Sequence, residues 1–154
     1  TVGTRGVSMD TQRLKPIQQI AESREQSRAK VFAERGRALD AQQKRLDELA
    51  QYAREYAQPA QSGSTVTASM LQNRSAFLDR LDDAVRTQSK AVDKAKENVE
   101  LERARLLLAS REVAMLDKLA DSYAVRERHV EAQRLQKELD DHALRGHRGP
   151  GESA

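Results

Sequence analysis

Taking every seventh residue from Leu71 gives Leu71, Leu78, Val85, Val92, Val99, Leu106, Val113 and Ala120, an unbroken apolar series. The position three residues further on reads Arg74, Leu81, Gln88, Ala95, Glu102, Ala109, Leu116 and Tyr123, much of it small or polar. An average apolar spacing of about 3.5 residues over so many heptads makes a stripe that a supercoiled partner helix must cover. An earlier segment carries a weaker stripe. It has Phe32, Leu39, Leu46 and Ala53 at one position and Leu49 and Tyr56 at the other, beside polar Arg35 and Gln42. The step from Ala21 to Phe32 is eleven residues, a local departure from seven that unwinds a supercoil.

Helix breakers divide the chain. Residues 11–58 are free of Gly and Pro except for Pro16 and Gly36, and Asp10 or Thr11 is the expected cap, placing Pro16 in the first turns. This first helix is about 70 Å long at about 1.5 Å per residue. Gly36 costs it about 1 kcal/mol relative to Ala. Small polar residues, Pro59 and Gly63 cluster in residues 59–67, the expected connection. A second helix is predicted over residues 68–142, capped by Thr67 or Ser69 and ended by Gly146, Gly149, Pro150 and Gly151. Residues 1–10 read as a disordered leader or a cloning remnant, and residues 143–154 as a disordered tail. So short a connection permits a reversal and no parallel return. The predicted fold is all-α, a long antiparallel two-helix coiled-coil hairpin in which the carboxyl third of the longer second helix overhangs.

Composition agrees with an elongated molecule: 33% of residues are charged and 3% aromatic, too few bulky groups for a thick core. The 27 basic and 24 acidic residues give a net charge of +3 and are interleaved, which suits a solvated coiled-coil surface better than nucleic-acid binding or direct membrane insertion. No apolar run approaches the ~20 residues of a membrane span, and a cytoplasmic protein is the default expectation. Without cysteine there is no disulfide or thiolate metal site.

Candidate chemistry is sparse. There is no glycine-rich phosphate loop, nucleophile elbow or HExxH, and His129, His142 and His147 read as solvated residues rather than metal ligands. Asp82-Asp83 and Asp140-Asp141 are adjacent pairs that diverge on a helix, unlike paired acid/base carboxylates. A non-enzymatic protein with no cofactor is expected. Arg24, Arg28 and Arg35 recur at seam-like spacing, and fit equally a stripe for an acidic partner and side chains snorkelling along a thin core.

The aromatic residues are the feature that asks for a partner. Three of them, Tyr52, Tyr56 and Phe77, lie within a few turns of the expected reversal. Leu49, Tyr52 and Tyr56 share a face of the first helix; Phe77, Leu81, Ala84 and Gln88 share one on the second. The two faces meet if the chain reverses near Gly63. They either close the hairpin end or present an aromatic anchor patch to another protein. On the anchor reading, Phe77→Ala with Leu81→Ala abolishes binding and leaves thermal stability nearly intact.

Arg13-Leu14-Lys15-Pro16-Ile17, Tyr52-x-x-x-Tyr56 and Phe77-Leu78-x-x-Leu81-x-x-Ala84-Val85, followed by Leu101-Glu102-Arg103-Ala104-Arg105 and Gln136-Lys137-Glu138-Leu139-Asp140, resemble the flagellar export protein family FliJ. The resemblance covers about Met9 to His142. It implies an antiparallel coiled coil similar to the shaft of rotary ATP synthases, seated in the hexameric ring of the export ATPase FliI, reaching the export-gate protein FlhA and handling export chaperones. Such a protein is monomeric alone and peripheral to the inner membrane through the export apparatus. The gate-contacting surface of the family matches Leu49, Tyr52, Tyr56, Phe77, Leu81, Ala84 and Gln88. Here Gln88 stands in place of a histidine found in some members, and Arg45 in place of a glutamine. The ATPase contact is expected on the terminal segments, at Leu14, Ile17, Arg24, Arg28, Val31, Leu116, Leu119, Tyr123 and Val130. Two rival readings are the stalk of a virulence type III secretion system and a self-associating structural coiled coil.

Overall fold

The computed structural model describes residues 5–59 and 65–146, with side chains from residue 11 onward. It contains two helices, α1 (Arg5–Ala57) and α2 (Ala68–Gly146), and no strand among the described residues. Residues 1–4 of the leader expected over 1–10, residues 60–64 of the connection and residues 147–154 of the tail expected over 143–154 lie outside the described residues, while residues 5–10 of that leader are helical.

Both helices exceed the expected bounds. α1 starts at Arg5 rather than Thr11, so Thr11 is no cap: its Oγ1 donates to Glu127 Oε1 at 2.5 Å, inside the helix pair. Pro16 therefore lies about three turns in. Lacking an N–H, it leaves the Gln12 carbonyl without its helical donor, a defect that a long helix with packed neighbours absorbs. α2 continues past His142 through Leu144 to Gly146, so the residues 143–146 assigned to a disordered tail are helical. At its start α2 is capped as expected. Thr67 Oγ1 accepts from the Met70 N–H at 3.3 Å, and the Thr67 carbonyl takes the Leu71 N–H at 3.1 Å.

Contacts group the described residues into two units, those within 26–108 and those up to 25 together with those from 109 on. Within the first of these, Arg28 meets Glu102, Gln42 meets Gln88 and Tyr56 meets Phe77: as numbers rise on α1 they fall on α2, so the helices are antiparallel. Leu81, Gln88, Val92, Val99 and Glu102 are buried and Leu78, Val85 and Ala95 half-buried, which are the two heptad positions read from the sequence. On α1 the positions turned inward include Arg28, Phe32, Gly36 and Leu39, spaced four, four and three, so the eleven-residue irregularity appears as one extra four-residue step.

The unit built from the two terminal segments is antiparallel by the same criterion. Thr11 pairs with Glu127, Gln18 Nε2 donates to Asp117 Oδ1 at 3.1 Å, and Arg24 forms an ion pair with Glu112 at 3.3 Å. Its core is Leu14, Ala21 and Ala109, with Val113, Leu116, Ala120 and Tyr123 half-buried. No large side chain in the described residues is fully buried, as expected of a two-helix seam. Beyond Glu127 every described residue of α2 is exposed, including Val130, Leu135, Leu139 and Leu144.

Candidate functional site

The carboxyl end of α1 and the amino end of α2 bring three rings together. Tyr56 lies 4.5 Å from Phe77, centroid to centroid, with the planes 63° apart. Tyr52 lies 6.3 Å from Tyr56 and 6.4 Å from Phe77, the latter nearly perpendicular at 85°. Edge-on contacts of this kind are each worth about 0.5–1.5 kcal/mol beyond simple burial. The cluster nevertheless stays open to solvent: Tyr52 is 50% and Tyr56 38% exposed. Large aromatic side chains held by one another and left half in water have the character of interface anchors.

The other residues assigned to this surface divide into two groups. Leu49 and Ala84 are half-buried, as is the Phe77 ring itself. Leu81 and Gln88 are buried in the seam, facing the opposite helix. Gln88 Nε2 donates to the Gln42 carbonyl at 2.9 Å and to Gln42 Oε1 at 2.7 Å. Two polar residues that each looked like a flaw in a separate apolar stripe thus satisfy one another.

Arg74 is the residue at this end that periodicity undervalued. It breaks the second seam position of α2, and its Nη2 donates to the Tyr56 carbonyl at 2.8 Å and also to the Gln58 carbonyl. Its guanidinium carbon stands 5.7 Å from the Tyr56 ring centroid. The signal was present in the sequence as a cation at a seam position one turn before Phe77, but its target lies on the other helix.

The residues assigned to an ATPase contact also separate. In the terminal-segment unit Leu14 is buried, Leu116 and Tyr123 are half-buried, and Ile17, Leu119 and Val130 are exposed. Arg24 is engaged by Glu112, and Arg126 lies over the Tyr123 ring at 5.9 Å. Arg28 and Val31 belong to the other unit. There Arg28 reaches towards Glu102, a carboxylate whose side chain is 7% exposed and which Arg105 grips at 2.8 Å. Among the described residues no group of His, Cys, Asp or Glu is placed to hold a metal ion, and no helix is long and apolar enough to cross a membrane.

The family described as Flagellar FliJ protein matches residues 9–152, nearly the whole chain. The chain belongs to the FliJ family. No curated protein and no solved structure matches it. With the two paired helices, that membership makes it a coiled-coil protein associated with flagellar export.

Proposed function

We propose that this FliJ-family chain is a stalk of the flagellar type III export apparatus, binding the FliI ATPase ring and the export-gate protein FlhA and assisting the handling of export chaperones. On this reading it acts by linking partners. The observation that carries the reading is the half-exposed Tyr52, Tyr56 and Phe77 cluster. Its members sit where the FliJ resemblance sets a gate contact, around Leu49, Ala84 and the buried pair Leu81 and Gln88. The ATPase contact is assigned to the terminal segments, where Ile17, Leu119 and Val130 leave apolar surface in water. The chain is then monomeric alone and peripheral to the inner membrane through its partners.

The test is ATP hydrolysis by FliI with and without this chain, run beside its mass in solution and its affinity for FlhA. Stimulation at a low ratio of chain to ATPase hexamer, with a monomeric mass, is the expected outcome. A dimeric mass without stimulation would point to a self-associating coiled coil. Burial alters the variant suited to the gate arm. Leu81 is 7% exposed, so Leu81→Ala costs about 2–5 kcal/mol and confounds binding with unfolding. Phe77→Ala alone is expected to weaken FlhA binding at least tenfold, and unchanged affinity would remove the cluster from the gate contact.

A further inference from the structure

Position 74 should be apolar. It lies on the α2 seam one turn before Leu78 and two before Leu81, where a charged residue forgoes apolar cover in a core that is already thin. Arg74 is half-buried there, and its guanidinium has three uses at once. α1 ends at Ala57, so the Tyr56 carbonyl is one of the last-turn acceptors that no helical N–H can reach, and the Gln58 carbonyl lies just past the helix end. Arg74 donates to both of them across the gap between the helices. The same group lies against the Tyr56 ring at 5.7 Å, and that ring packs on Phe77, one turn along α2 from Arg74 itself.

Helix ends fray, and a tyrosine in the last turn of a helix, more than a third exposed, has several rotamers open to it. A planar cation whose single Nη2 group donates to both carbonyls while the guanidinium lies against the ring fixes both the backbone of the last turn and the ring projecting from it. A lysine, with a single rotating ammonium, reproduces only part of this. We infer that Arg74 is the positioning residue of the aromatic surface, locking the end of α1 and the Tyr56 ring against Phe77 so that the surface is preformed before a partner arrives. The inference rests on the reading of this cluster as a partner-binding surface. A preformed surface raises affinity in proportion to the fraction of molecules that already hold the binding arrangement.

The experiment uses the full chain with Arg74→Leu, Arg74→Lys and Phe77→Ala, titrated against purified FlhA. Each variant's melting curve and the Tyr56 and Phe77 ring resonances of the free protein are recorded in parallel. Arg74→Leu restores an apolar seam residue, so helicity and Tm hold or rise while FlhA binding falls about tenfold, the result of reducing the preformed fraction to roughly a tenth. Arg74→Lys falls in between. In the free protein Arg74→Leu shifts the Tyr56 ring resonances and weakens the Tyr56–Phe77 contact, which a purely stabilising residue would leave in place. If Phe77→Ala weakens binding while both Arg74 variants bind like the native chain, Arg74 has no positioning role. If Phe77→Ala also binds normally, the gate reading fails separately, and the ring resonances decide the case of Arg74: a shift upholds it and unchanged rings overturn it. A Tm loss in Arg74→Leu that accounts for its loss of binding would reduce Arg74 to a stabilising contact and overturn the inference.

Discussion

Replacing Glu102 by leucine should make this protein more stable, although it deletes two ion pairs. The Glu102 side chain is 7% exposed, between buried Val99 and buried Ala109 on the α2 seam. One carboxylate oxygen accepts from Arg105 Nη1 at 2.8 Å; the other, Oε2, is buried without a hydrogen-bond partner, its nearest cation being Arg28 at 3.9 Å. Taking an ion out of water costs several kcal/mol, and one good charge-assisted bond returns about 1.5–3 kcal/mol of it. Leucine would remove that desolvation and add about 2 kcal/mol from burying an apolar side chain. Arg28 and Arg105 are 42% and 46% exposed, so each guanidinium turns to water and no buried charge is stranded. The net expectation is a gain of about 2 kcal/mol, or roughly 4–8 °C in Tm for a chain of this size. Arg105→Ala should have the opposite sign, losing about 2 kcal/mol, because it leaves the buried carboxylate with only the distant Arg28. Both are read by circular dichroism at 222 nm during heating and in urea. If Glu102→Leu lowers Tm by several degrees, the pair is a net source of stability and the reasoning fails.

Two further predictions concern the same seam. Gln42→Leu leaves Gln88 with only the Gln42 main-chain carbonyl and is expected to cost about 1 kcal/mol, whereas Gln42→Leu with Gln88→Leu, which removes both polar partners, returns stability to the native value or above; urea midpoints of the single and double variants decide it. Gly36→Ala should stabilise by about 1 kcal/mol, since a β-carbon there meets nothing within 4 Å and α1 loses a flexible residue, and a lowered Tm would show an unseen packing conflict.

Much of the architecture was legible in one dimension. Spacing of seven and three residues identified both seam positions of α2, and the buried and half-buried residues from Leu78 to Tyr123 follow them. The single cluster of breakers located the reversal, and Thr67 was recognisable as the cap of α2. Helix ends were less legible. α1 begins before Thr11 and carries Pro16 in its interior, because a local breaker costs a few kcal/mol at most and a long helix tolerates it, and α2 runs past His142 to Gly146.

Periodicity reports the angle of a residue around its own helix and nothing about what stands opposite. The sequence by itself therefore determined that two helices pair along a heptad seam and that aromatic residues gather near the turn. Only the tertiary structure decided the register: Gln42 against Gln88, Glu102 against Arg28, and Arg74 on the carbonyls of Tyr56 and Gln58. The same register separates Leu81, sealed in the seam, from Tyr52 and Tyr56, left half in water. Each of these pairs depends on distances across the two helices, and a one-dimensional pattern carries the composition of both faces but not their alignment.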